Sequence, residues 1–411
     1  MDQPSDRTSD GVISRSKLGA YVHFPYCLSK CPYCDFFSVP EPDRTRIPHA
    51  AYADRVLAEL EVRLAHFDGL LPKLDSLFFG GGTPSLWQTS ELGRVIAAVT
   101  GAFGTSASAV ELTVECNPSS FSRDKAEALR AVGVNRVSLG VQSLDRPSLE
   151  FLGRRHDAGG ALSALEAAFA GGFSRVSADY IFGVAGRGVV DELAQLERLL
   201  QFPLEHLSVY ALTIEPGTRF GSLAKAGRLP IAPEDGVADS FMAIHERLEA
   251  AGFEHYEISN YARPGARSRH NVGYWRGRNY LGLGTAAVGT VAWQGSRLRY
   301  KNTLSVARYL ETSFAPGNAL FEAAPAGLLA ESEIVSPEMA LAERFMLGLR
   351  MSDGVNLDSV EAELGLLVRT PKRLRSLERL KSRGRLSWDG TTVRLAPESW
   401  LLADGTIAEL L

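Results

Sequence analysis

Cysteine is scarce in this chain, with four among 411 residues. So few thiols in so long a chain exclude a disulfide-stapled scaffold. Long apolar runs are absent too, and none would span a bilayer as a helix. The opening residues are polar and of mixed charge, without the apolar stretch of a secretory leader. Residues 1–17 therefore read as a disordered tail. With reduced cysteines, these features predict a cytoplasmic location. An excess of one charge is lacking as well. Lys plus Arg number 44 against 48 Asp plus Glu, a net charge of −4, so general nucleic-acid binding is not expected. What remains is ordinary for a globular protein: 45% hydrophobic and 22% charged residues, and a length suiting one large domain with a smaller one.

The few cysteines are not scattered. Three of the four fall in Cys27-Leu-Ser-Lys-Cys31-Pro-Tyr-Cys34, a C-x3-C-x2-C spacing directly after a short apolar run. Three thiolates suit three irons of a 4Fe–4S cluster, whose usual ligand is cysteine. The fourth iron is then open to a substrate or cofactor. A structural zinc site is the competing reading, but it normally takes four protein ligands. His23 would be the fourth, and it would have to fold back from the strand onto the loop.

Short β-rich runs recur, at 20–24, 76–79, 111–115, 136–140, 175–181 and 206–212. Helical patterns lie between them at 50–66, 90–102, 122–132, 146–170 and 190–200. Strands alternating with helices predict βαβ units and a parallel sheet. Several of the strands are nearly all apolar, as strands covered on both faces are. Six to eight such units suit a full or partial (β/α) barrel over residues 18–310, with functional residues at the C-terminal ends of the strands. Residues 311–336, rich in Ala, Pro and Gly, read as a linker. Residues 337–411 read as a small helical, winged-helix-like domain, with a hairpin turning at Asp389-Gly390. A basic run from Arg369 to Arg385 reads as a solvated helix face opposite Leu374, Leu377 and Leu380.

Polar groups stand at the ends of successive strands. Gly80-Gly81-Gly82-Thr83-Pro84 follows the second run, Glu115 ends the third, Gln142 follows the fourth, and Asp179 interrupts the fifth. Arg154 lies twelve residues beyond Gln142. Each alone is more often a turn or cap than a site. Together they fall on the same predicted rim as the cysteine loop.

These segments, with Glu115-Cys-Asn-Pro118 and Ser138-Leu-Gly-Val-Gln-Ser143, resemble the radical S-adenosylmethionine (SAM) proteins. The likeness is strongest to the branch holding oxygen-independent coproporphyrinogen III oxidase and the HemW heme chaperones. It implies a radical-SAM partial TIM-like barrel in which Cys27, Cys31 and Cys34 hold the 4Fe–4S cluster. S-adenosyl-L-methionine would chelate the open iron, where an electron from the cluster can cleave its sulfonium. Tyr21, Tyr33, Gly81, Gly82, Thr83, Glu115, Gln142, Arg154 and Asp179 match that branch's SAM contacts.

Two features favour the chaperone side. Asp35-Phe36 follows Cys34 where the oxidase carries a further cysteine, and His270-Asn271-Val-Gly-Tyr274-Trp275 resembles the chaperones' heme-binding segment. The likeness therefore implies heme as cargo, passed to acceptor proteins of the respiratory chain, with transient membrane-surface contact and no nucleic-acid partner. Oxidative decarboxylation of coproporphyrinogen stays open as the alternative activity. The chain departs from the branch at Val288, where a histidine is usual.

Overall fold

The computed structural model describes residues 17–67, 71–314 and 328–411. Its centre is one large sheet of twelve strands. In chain order they are β1 (Lys17–Phe24), β2 (Lys73–Gly81), β3 (Glu111–Cys116), β4 (Arg136–Gln142), β5 (Arg175–Phe182), β6 (His206–Ala211), β7 (Glu254–Glu257), β8 (Asn260–Ala262), β9 (Tyr280–Leu283), β10 (Val288–Trp293), β11 (Ser296–Asn302) and β12 (Leu329–Val335). Their order across the sheet is β12-β11-β10-β9-β1-β2-β3-β4-β5-β6-β8-β7. Neighbours from β9 through β1 to β6 run parallel, and those toward both edges are antiparallel.

The six parallel strands expected from the sequence are present, joined by crossover helices as parallel strands require. They have the composition of strands covered on both faces. Leu77, Phe79, Leu112, Val114, Val137 and Leu139 are fully buried. Each such side chain contributes about 1.5–3 kcal/mol relative to exposure. The result is a partial (β/α) barrel, as expected. It is extended by the β9–β12 meander on one side and the β8–β7 pair on the other. Among the described residues no helix is long and apolar enough to cross a membrane.

One expected helix is broken. The pattern over 146–170 forms two helices, Arg146–Phe151 and Ala158–Ala170. Gly153 lies between them with φ +66°, and Asp157 caps the second by accepting from Gly160 N. Glycine takes that left-handed conformation at no steric cost. The break places Arg154 on a loop instead of in a helix.

The tail expected at 1–17 lies outside the described residues except for Lys17, which already opens β1. The expected linker, 311–336, lies partly outside them. Its described residues 329–335 form β12, paired antiparallel with β11 and tied to it by the Arg299–Glu333 ion pair. An edge strand with most of its side chains exposed carries no alternating pattern for sequence reading to find.

The C-terminal region holds helices Pro337–Gly348, Leu357–Leu364 and Pro371–Ser382, a three-stranded sheet and a final short helix, Ala403–Ala408. Its basic run is used internally. Arg369 pairs with Asp358 and Glu361, Arg379 with Glu409, and Arg373 donates to the Leu410 and Val368 carbonyls.

Candidate functional site

The cysteine loop leaves the C-terminal end of β1 and is anchored at once. Tyr26–Cys27 pairs with Val39–Pro40, and Cys34 N donates to Cys31 O. Against it lies the glycine turn after β2. Gly82 N donates to Phe24 O and Thr83 N to Tyr26 O. A Cβ on Gly82 would come within 2.7 Å of the Pro25 carbonyl carbon and Tyr26 O. The glycines thus permit close approach of the cysteine loop itself.

All three thiols are free and half-buried. Thr83 Oγ1 donates to Cys27 Sγ at 3.3 Å, and Arg154 Nη1 to Cys31 Sγ at 3.5 Å. Arg154 Nη2 donates to Gly140 O at 2.9 Å, while its Nε is buried without a partner. Burial pushes the Cys27 thiol up and Cys34 to about 11, so metal ligation here displaces protons.

Cys27, Cys31 and Cys34 line one cavity of about 520 Å3. Tyr33, Gly81, Gly82, Thr83, Glu115, Gln142, Arg154 and Asp179 line the same cavity, so every expected cofactor contact except Tyr21 meets there. Gln142 sits at φ +63°, where a non-glycine residue is uncommon and strain often marks a functional position. Gly81 has φ +105° and donates its N–H to Glu115 Oε2 at 3.1 Å. Burial, then the nearby Asp179 charge, pushes Glu115 up to about 8. Burial raises Asp179 to about 6 against the hydrogen bonds of Ser138 and Ser208.

Tyr21 lies one chamber deeper. A second cavity of about 300 Å3 shares Phe36, Gly81, Glu115, Ser138, Asp179 and Tyr210 with the first, and Tyr21 faces it. Tyr21 OH bonds His23 Nδ1 at 3.0 Å, and His23 Nε2 meets Phe37 O at 2.9 Å. Burial lowers His23 to about 4. Both of its ring nitrogens are engaged away from the thiols, which leaves none for a zinc ion. Among the described residues no three His, Cys, Asp or Glu side chains converge on a single metal ion.

The donor set therefore fits the expected groups. Three free thiols, with a guanidinium donating to one of them, border an open cavity, as an anionic cluster requires. Glu115 and Asp179 offer acceptors for the amine and hydroxyl groups of SAM, while the Gly81–Thr83 N–H groups are already engaged within the protein. The cavity also draws on the sixth strand, from which the sequence offers no candidate above. Tyr210, Ala211, Leu212 and Thr213, at and after the end of β6, also line the cavity, as does Phe36 beside the cysteines. The rule that barrel sites gather at strand ends would have found the β6 group.

The His270 segment stands at the opposite end of the barrel. It is a short helix, Arg269–Trp275, capped by Ser268, whose side chain accepts from Asn271 N. His270 is 3% exposed. Its Nδ1 meets Ser76 Oγ and its Nε2 meets Tyr274 OH, each at 2.9 Å. The ring stacks on Phe78 with centroids 4.8 Å apart. Burial lowers its pKa to about 4. In this arrangement neither ring nitrogen is open to an iron. His270, Asn271 and Tyr274 line the deeper chamber, and Trp275 is half-buried. Val288 opens β10, and a Cβ on Gly282 would strike Val288 O at 2.0 Å, so that glycine serves strand packing.

Comparison with known proteins finds two family models: the radical SAM superfamily over residues 21–200 and the HemN C-terminal domain over 335–402. The heme chaperone HemW of Escherichia coli (strain K12) is 35% identical over 308 residues, covering 73% of this chain and 79% of that one. HemW of Mycobacterium tuberculosis is 32% identical over 397 residues, covering 96% and 95%. A mitochondrial radical S-adenosyl methionine domain-containing protein 1 from Danio rerio is 34% identical over 396 residues, covering 93% and 86%. Among solved structures, the coproporphyrinogen III oxidase HemN of Escherichia coli superposes with a TM-score of 0.75 over 96% of this chain and 90% of its own. At 19% identity that likeness concerns the fold.

Proposed function

The chain belongs to the HemW family of radical SAM proteins, and on that premise we propose that it is a heme chaperone. It binds heme, carries a 4Fe–4S cluster with S-adenosyl-L-methionine, and transfers heme to acceptor proteins. The observation that carries this reading is the near full-length similarity to HemW, joined to a rim cavity that gathers all three loop cysteines.

Cys27, Cys31 and Cys34 hold the cluster. Tyr21, Tyr33, Gly81, Gly82, Thr83, Glu115, Gln142, Arg154 and Asp179 surround SAM. The cluster and SAM together supply one-electron chemistry when bound. The protein's part is to seat them: Thr83 and Arg154 steady two sulfurs, and Glu115 and Asp179 accept from the cofactor's polar groups. His270, Asn271, Tyr274 and Trp275 form the heme-contacting segment. Its support is that the first three border the chamber adjoining the cofactor cavity. The protein acts in the cytoplasm, touches the membrane surface transiently, and delivers heme to respiratory acceptors. The barrel with its sheet extension and the region from Pro337 onward act as two domains, in keeping with the separate family matches.

Anaerobically reconstituted protein tests the proposal. Titration with heme should saturate near one heme per chain, with a Soret shift. Incubation with coproporphyrinogen and SAM should yield no protoporphyrinogen. Product formation without stoichiometric heme binding would instead establish the oxidase activity.

A further inference from the structure

Four residues of β4 form a ladder inside the barrel. Side chains on one face of a strand repeat every second residue. Arg136, Ser138, Gly140 and Gln142 obey that spacing, and all four border the two connected cavities. Gln142 and Gly140 stand at the rim, Ser138 borders both cavities, and Arg136 faces the deeper one.

Arg136 is only 3% exposed, yet its side chain makes no hydrogen bond or close ion pair among the described residues. Its acidic neighbours are committed elsewhere. Glu111 accepts from Arg175, Ser268 and the His270 N–H. Glu115 accepts from Gly81 N, and Asp179 from Ser138. Glu111, Glu115 and Asp179 feel the Arg136 charge through space, but a guanidinium taken out of bulk water without hydrogen bonds of its own is only partly compensated. Here it fronts about 300 Å3 of space that Asn271, Tyr274 and Ser208 also border. The planar fork of arginine matches a carboxylate with two parallel hydrogen bonds. The chamber communicates with the cofactor cavity past Phe36, which is 69% exposed and borders both.

Resting on the heme-chaperone reading, we propose that Arg136 is the anchor for a heme propionate that reaches into this chamber, with Asn271 and Tyr274 beside it. The His270 segment then recognises the carboxylate arm of the porphyrin. His270 holds Tyr274 in place and leaves the iron to other ligands.

Heme and heme dimethyl ester, which lacks ionised propionates, are titrated into the reconstituted wild-type protein. The diester should bind at least about tenfold more weakly, the loss expected when one charge-assisted pair is removed. In Arg136→Gln the two ligands should bind alike, and Arg136→Lys should restore part of the preference. Equal affinity of the wild type for both ligands would overturn the assignment. If Arg136→Gln does not fold, the wild-type comparison still decides. Failure of both ligands to bind would reject the heme-chaperone reading itself, whereas equal binding of both rejects only the role of Arg136.

Discussion

The two ends of the barrel are built from the same strands and differ in how their polar groups are satisfied. At the C-terminal rim the groups border open space: three free thiols and two carboxyl groups whose pKa values burial raises, with Arg154 Nε buried there without a partner. At the N-terminal foot they face each other. Glu111 joins Arg175 to Ser268 and the His270 N–H, and His270 joins Ser76 to Tyr274. Burial pushes Glu111 up, but Arg136, Arg175 and the backbone N–H groups outweigh it and hold its carboxyl below the usual range. The rim is left incomplete for ligands and the foot is closed for stability, the division expected of (β/α) barrels. Arg136 is the exception, a foot residue that acts on Glu111 through space while its side chain makes no hydrogen bond among the described residues.

The largest expected effect lies at the rim. Cys31→Ala should abolish the cluster, bringing iron and sulfide in reconstituted protein to background and removing SAM binding. The circular dichroism spectrum should not change, because Cys31 is not part of the core. Retention of a full cluster would break the comparison. At the foot the pattern should invert. Glu111→Gln leaves Arg175 with a weakened partner inside a buried network, and should cost about 3–5 kcal/mol in denaturant unfolding. Iron content and SAM affinity should hold in the fraction that folds.

Glu115→Gln sharpens the contrast within one residue. The folded-state pKa of Glu115 lies above its unfolded value, so the unfolded chain gives up the proton first. Stability therefore falls as pH rises from about 4.5 to about 8. The substitution removes that penalty. It should raise the thermal midpoint of cluster-free protein more at pH 8 than at pH 5, while weakening SAM binding. A lowered midpoint at pH 8 would show that the Glu115 carboxylate stabilises the fold. The smallest effect belongs to buried imidazoles. Burial lowers His255 to about 3 and His270 to about 4. Below pH 6.5 the unfolded chain takes up protons that the folded chain refuses, so stability should fall from pH 6.5 toward 4. Replacing His270 with glutamine should flatten that slope in equilibrium unfolding curves.

Much of the rim was legible in the sequence because each of its residues sits at a boundary between two periodicities. The apolar runs before Gly80, Glu115 and Gln142 mark strands, and the polar residue marks where each one ends. Cysteine spacing is local and reads directly. The foot was not legible. The Arg269–Trp275 helix has seven residues, too few to show a helical period. Its partners Ser76 and Glu111 are 194 and 159 residues distant in the chain. The helix break that frees Arg154 depended on one glycine at positive φ, a conformation that composition does not reveal. β12 lies within the expected linker because an exposed edge strand shows no alternation in its sequence.

The most direct test of the account is heme delivery. Heme-loaded, cluster-bearing protein is mixed anaerobically with an apo-hemoprotein, and the acceptor's Soret band is followed against free heme as control. The account predicts transfer of the bound heme to the acceptor, faster or more completely than from the same concentration of free heme. Heme that stays on this chain, or an acceptor that fills no better than from free heme, would contradict it.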